Sequence, residues 1–199
     1  MVRVLGILGS PRHSGNTELL LDEALRGAAG ASTSLIRVEG LDIAGCNECN
    51  DCYETGECSI QDEMTEVYEA IEQADRILVA SPIFFMALPA QMKAVVDRCQ
   101  AFWALKYKAG LPLPRPAEAP KRYGAFIGVG GTRGQRLFDG SILTLKYFFD
   151  AISAEPLPES YLLVRGVDDQ GEILGRPESL AAALSLGRRL AADDPGASD

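Results

Sequence analysis

Short apolar runs alternate along the chain with segments whose apolar residues recur every three or four positions. Val2–Leu8 reads as a first strand. The helix that follows from Thr17 sets Leu19, Leu20 and Ala24 against Glu18, Asp22 and Glu23. Thr33–Val38 reads as a second strand, and Met64, Val67, Tyr68 and Ile71 mark a helix entered through the acids at Asp62 and Glu63. Arg76–Ala80 predicts a third strand, and residues 89–105 a helix with Pro89 in its first turn. Residues 123–131 and 160–167 predict the last strands, 139–153 and 177–192 the last helices. Strands apolar on both faces, each followed by a helix, predict a buried parallel sheet. Right-handed crossovers then give an α/β fold: a doubly wound, five-stranded parallel sheet in three α/β/α layers. One domain, residues 1–192, accounts for the pattern, with 193–199 as a frayed tail. Two segments lack periodicity. One is the cysteine-rich loop 45–59. The other is the proline-rich loop 106–120, either a solvated insertion or a surface that covers a site or meets another subunit.

Composition narrows the class. The chain has 199 residues, 47% hydrophobic and 24% charged, enough for one core. No apolar run approaches a membrane span, and residues 1–11 are too short and too soon broken by Gly and Pro for a leader. These features predict a cytoplasmic protein with reduced thiols and no membrane partner. A net charge of −9 argues against nucleic acid as a partner.

In doubly wound sheets, ligands bind beyond the carboxyl ends of the strands. The first such loop is "GSPRHSGNT", Gly9–Thr17. Amides at the following helix start attract anions, Gly15 permits close approach, Ser10, Ser14, Asn16 and Thr17 add donors, and Arg12 adds charge. The loop fits neither the Walker pattern nor G-x-G-x-x-G. An ordinary turn capped by Asn16 or Thr17 explains it equally well. His13, the only histidine, reads as an exposed loop side chain. After the third strand come Ser81, Pro82, Ile83, Phe84 and Phe85. One Phe is expected in the core and one as an apolar wall for a planar ligand. Gly131, Thr132 and Arg133 close the fourth strand, with room for close approach and a charge for an anionic ligand. No side chain stands out as a general acid or base.

Four of the five cysteines fall within thirteen residues: Cys46, Cys49, Cys52 and Cys58, spaced C-x2-C-x2-C-x5-C. Three thiolates two residues apart converge on one face, and Gly56 eases the return of the fourth. Ferredoxin-type clusters use a similar compact run, whereas zinc sites favour paired knuckles with a longer spacer. A [4Fe–4S] cluster fits best, with zinc and free or redox-active thiols as alternatives. Cys99 reads as a small buried hydrophobe.

"GSPRHSGNT" together with "SPIFFMALPAQMKAVVDR" resembles the flavodoxin-like NAD(P)H-dependent FMN reductases over roughly residues 2–165. The resemblance implies a flavodoxin-like fold and an FMN phosphate held by Ser10, Arg12, Ser14, Asn16 and Thr17. It also implies that residues 81–85 run along the ribityl chain and ring. The cysteine spacing and its place after the second strand are similar to those of archaeal-type iron–sulfur flavoproteins, a branch of that fold. The combined expectation is an FMN-dependent electron-transfer oxidoreductase with a [4Fe–4S] cluster at the same sheet edge as the flavin. It would take a small-molecule or ferredoxin-type donor and assemble as a homodimer or homotetramer. An NAD(P)H-dependent FMN or quinone reductase with structural or redox thiols, and a non-catalytic flavin-binding carrier or sensor, are the alternatives.

Overall fold

Five parallel strands form one sheet in the order β2-β1-β3-β4-β5: β1 (Arg3–Leu8), β2 (Ser32–Arg37), β3 (Arg76–Pro82), β4 (Tyr123–Gly130) and β5 (Glu155–Arg165). The computed structural model describes residues 1–116 and 118–193. Residues 194–199 of the expected tail, and Ala117 of the proline-rich loop, lie outside the described residues. Among the described residues, seven α-helices connect and cover the strands: α1 (Asn16–Gly27), α2 (Cys52–Thr55), α3 (Met64–Gln73), α4 (Ala90–Arg98), α5 (Gln100–Tyr107), α6 (Asp139–Ala151) and α7 (Pro177–Ala191). This is the three-layer flavodoxin-like arrangement, and the order in which successive strands are added reverses between β1 and β3.

Strand residues alternate between two cores. Leu5, Ile7, Ile77, Val79 and Phe126 pack with α3, α4, α5 and α6. Leu8, Leu78, Ala80, Ile127 and Val129 pack with α1 and α7. No helix among the described residues is long and apolar enough to cross a membrane.

Four boundaries depart from the sequence reading. β2 is not apolar on both faces: Ser32, Thr33 and Ser34 make it an exposed edge strand. β5 starts at Glu155, five residues before the expected Ser160, because an edge strand tolerates Pro156 and Pro158. The single helix predicted over 89–105 is two helices. The Cys99 N–H is shared between Val95 O and Val96 O, both at 3.1 Å, and tightens one turn at that point. Lys106 and Tyr107 belong to α5, so the proline-rich loop begins at Lys108. Cys99 itself is 1% exposed in the core, as expected of a small buried hydrophobe.

Candidate functional site

Two separate recesses collect most of the residues singled out above; Ser14, Ser81, Phe85, Thr132 and Arg133 line neither. The first lies at the carboxyl ends of β1, β3 and β4, where Ser10, Pro11, Arg12, Gly15, Asn16, Thr17, Pro82, Ile83, Phe84 and Gly131 line a cleft of about 70 Å³. That volume is far below the roughly 300–1,000 Å³ of sites that enclose a small molecule. It suits the anionic end of a ligand whose remainder lies along the rim.

Gly15, not Asn16 or Thr17, occupies the N-cap of α1, and no side chain caps the helix. The helix start therefore presents backbone amides and a positive dipole end to the cleft. Asn16 is engaged elsewhere. Its Nδ2 donates to Asp169 O at 2.8 Å, and its Oδ1 accepts from the Ile173 N–H at 3.1 Å. Arg12 Nη1 donates to Asp168 O at 3.1 Å, and Gln170 Nε2 donates to His13 O at 2.8 Å. The loop after β5 thus buckles the first loop in place, and its Val167 and Asp168 join the lining of the cleft. Residues 167–173 escaped sequence reading, although the rule that ligands bind at strand carboxyl ends points to the polar run "VDDQGE" there.

Ser14 is held at φ 53, and its N–H donates to Glu18 Oε2 at 2.7 Å. Glu18 is also paired with Arg37. The Arg37 hydrogen bond, opposed by burial and assisted by the Ser14 N–H, holds the Glu18 carboxyl below its ordinary range. Ser10 Oγ accepts from the Arg12 N–H at 3.2 Å, which tightens the turn.

The third-strand segment differs from expectation. Neither Phe84 nor Phe85 is in the core: they are 46% and 104% exposed. Phe84 and Ala87 exchange both backbone hydrogen bonds, closing a two-residue turn in which Phe85 and Met86 take φ 50 and 64. That turn projects past the sheet, so its side chains have no layer to enter. Ser81 is fully buried, and its Oγ donates to Pro82 O at 2.9 Å. Thr132 and Arg133 stand exposed beyond Gly131.

The second recess holds the cysteines. Cys46, Cys49, Cys52 and Cys58 all line one cavity of about 310 Å³, together with Tyr53, Asp97, Arg98, Gln100 and Ala101. Cys52 opens α2 and is buried, while Cys46 and Cys49 are exposed and Cys58 half-buried. Gly56 ends α2 at φ 76, where its N–H donates to Cys52 O at 2.8 Å. A β-carbon there would lie 2.6 Å from Leu105 Cβ, so the return toward Cys58 needs glycine twice over. Burial pushes the Cys52 thiol up against a backbone hydrogen bond that lowers it, and the neighbouring Cys58, Cys46 and Cys49 push it further. A cationic centre among the four would relieve that repulsion. Among the described residues, no three His, Cys, Asp or Glu side chains stand close enough to share a single metal ion. The thiols surround a space larger than one tetrahedral ion, whose four ligands sit about 2.3 Å from it.

The cavity is not on the strand-end rim itself. Met92, near the start of α4, abuts Gly9, where a β-carbon would meet it at 2.9 Å. Gln100, in the cavity wall, lies eight residues beyond Met92, past the far end of α4. The cysteine loop therefore hangs beside the helix layer, a step down from the first cleft. Arg98 was invisible to motif reading. Its one signal was a charge on the apolar stripe of Val95, Cys99 and Phe102.

The comparisons with known proteins agree with this fold. A family model described as NADPH-dependent FMN reductase matches residues 2–164. An iron-sulfur flavoprotein of Archaeoglobus fulgidus is 38% identical over 145 residues, covering 71% of this chain and 69% of the relative. An iron-sulfur flavoprotein of Methanocaldococcus jannaschii is 34% identical over 134 residues, covering 66% of this chain and 64% of the relative, so this chain spans just under two thirds of that protein. In fold, the chain is similar to the NAD(P)H:quinone oxidoreductase of Methanothermobacter marburgensis, with a TM-score of 0.72 and 14% identity over 96% of each chain. The family match takes in all of the cysteine recess and all of the first cleft but Val167 and Asp168, and with it the chain belongs to the NADPH-dependent FMN reductase family of flavin-dependent oxidoreductases.

Proposed function

We propose that this protein is an iron–sulfur flavoprotein that moves electrons between a [4Fe–4S] cluster and FMN. One observation carries the reading: four thiols from thirteen residues line a single cavity of about 310 Å³, in a chain that also presents an anion-ready cleft at the start of α1. The names of the relatives support it. When bound, FMN supplies one- or two-electron exchange and the cluster supplies single electrons.

In this reading Ser10, Arg12, Ser14, Asn16 and Thr17 hold the FMN phosphate. The uncapped amides at the start of α1 receive the anion, and the exposed Arg12 fork turns toward it. Asn16 contributes its backbone, because its side chain is engaged by the loop after β5. Ser81, Pro82, Ile83 and Phe84 run beside the ribityl chain. The ring lies outside the small cleft, against Phe84, Phe85 and Gly131, with Thr132 and Arg133 at its far edge. The openness of Phe85 and Met86 also suits a second copy of the chain in a homodimer or homotetramer. Cys46, Cys49, Cys52 and Cys58 hold the cluster.

The family match favours a second reading, an NADPH-dependent FMN or quinone reductase whose thiols are structural. Anaerobic rapid mixing separates the two. Loss of flavin absorbance within the dead time on adding reduced ferredoxin, slow loss with NADPH, and failure of the ferredoxin reaction after Cys49→Ser are expected. Fast loss with NADPH, unchanged by Cys49→Ser, would establish the second reading instead.

A further inference from the structure

Arg98 is 1% exposed and forms part of the cysteine cavity wall. A guanidinium has five N–H donors. Four are used here, and they all converge on the ends of the cysteine loop. Nη1 donates to Ala44 O at 3.0 Å and to Asp62 Oδ2 at 2.6 Å. Nη2 donates to Ile60 O at 3.2 Å and to Asp62 Oδ1 at 3.1 Å. Ala44 precedes the first cysteine and Ile60 follows the last, so one side chain ties the loop shut at its neck. Asp62 braces the same neck by accepting from the Ala44 N–H at 3.0 Å and the Met64 N–H at 3.0 Å. The arginine's own carbonyl is fixed by Tyr68 Oη at 2.7 Å. The fifth donor, on Nε, is buried without a hydrogen-bond partner among the described residues. The Nε atoms of Arg76 and Arg115 share that condition, but of the three arginines only Arg98 lines the cysteine cavity.

We propose that Arg98 is the positioning residue of the cysteine centre. It fastens the loop neck so that the four thiols surround their cavity before any metal arrives. It also keeps a permanent positive charge and one spare N–H for the sulfur-rich group the cavity receives. That second role rests on the reading of the cavity as an iron–sulfur site. A fixed cation beside such a group favours its reduced, more negative state, and hydrogen bonds to sulfur act in the same direction. Asp62 offsets part of that charge, so the pair sets the effect jointly.

Full-length Arg98→Lys and Arg98→Gln separate the two roles. The first readout is hydrogen exchange in the metal-free protein. Amides of residues 44–60 are expected to exchange at least tenfold faster in both variants, with α1 and α6 unchanged, because neither the three donors of a lysine ammonium nor the two of a glutamine amide reproduce the four bonds of the planar guanidinium fork. The second is a mediated dithionite titration of the protein loaded with iron and sulfide, in which the titrant supplies the electron. Arg98→Gln is expected to lower the reduced-to-oxidised ratio at fixed potential about tenfold, a shift of about 59 mV downward, whereas Arg98→Lys keeps the wild-type midpoint. Wild-type exchange in Arg98→Lys overturns the fastening role, even if Arg98→Gln does not fold. Equal midpoints for wild type and Arg98→Gln, or equal falls in both variants, overturn the charge role. A wild-type protein that takes up no iron overturns the cluster reading, and with it the charge role, while the exchange result still decides the fastening.

Discussion

The Asn16 side chain joins the first loop to the last: its amide donates to Asp169 O and accepts from the Ile173 N–H, spanning 153 and 157 positions of sequence. Asn16 is 7% exposed and Ile173 fully buried, so the Ile173 N–H has no water as a ready substitute. Removing the amide by Asn16→Ala should destabilise the fold by about 1–3 kcal/mol, the cost of leaving buried polar groups unpaired. It should also weaken FMN binding severalfold, because the helix start that receives the phosphate loses its outer support. Urea denaturation and flavin-fluorescence titration read the two effects. Unchanged flavin affinity would show that the clasp is not part of the site.

A second tie lies under the same helix. A β-carbon on Gly187 of α7 would lie 1.8 Å from Ala24 O of α1. The helices must separate to admit it, and α1 carries the uncapped N-terminus. Gly187→Ala is expected to cost about 1–3 kcal/mol or more from overpacking, seen as a lowered Tm. Because α7 is remote from the cysteine loop, the iron content of the folded fraction should not change. A variant with wild-type Tm would mean that this helix contact is looser than the structure has it.

Glu18 supplies a pH dependence whose sign is fixed. The Arg37 hydrogen bond, then the Ser14 N–H, hold its carboxyl below the ordinary value of 4.5 despite burial. A depressed folded-state pKa contributes stability that is fully present above the unfolded value and is lost as pH falls through the folded one. Wild type should therefore exceed Glu18→Gln in stability at pH 7, and the gap should narrow progressively as pH falls below the ordinary value of 4.5. Parallel stability curves for the two proteins from pH 7 to pH 3 would contradict the assignment.

The five cysteines should behave as two groups. Serine at Cys46, Cys49, Cys52 or Cys58 should remove iron and sulfide while leaving flavin bound, since the two recesses share no lining residue. Cys99→Ala should keep both cofactors and lower Tm modestly, because that thiol is packed in the core. Metal and flavin assays on the five purified variants decide this. Loss of flavin with any of the four serines would join the recesses into one site.

Sequence legibility followed the physics of each part. Buried strands and amphipathic helices announce themselves by period, and so the layer order and sheet class were plain. Period fails where an edge strand need not be apolar, as at Ser32–Ser34, and where prolines hide pairing, as at Pro156. The cysteines were legible as a set because their ligand chemistry is local. Arg98 was not, since its role depends on carbonyls 54 and 38 positions away. The exposure of both phenylalanines was equally hidden: a two-residue turn with two positive φ angles at Phe85 and Met86 carries no glycine to signal it.

The most direct test of the two-centre account is composition after anaerobic purification. The account predicts about four iron and four acid-labile sulfide per chain beside about one FMN, with iron and sulfide both absent from Cys49→Ser. Flavin present with no iron, or with a single zinc in place of it, would contradict the account.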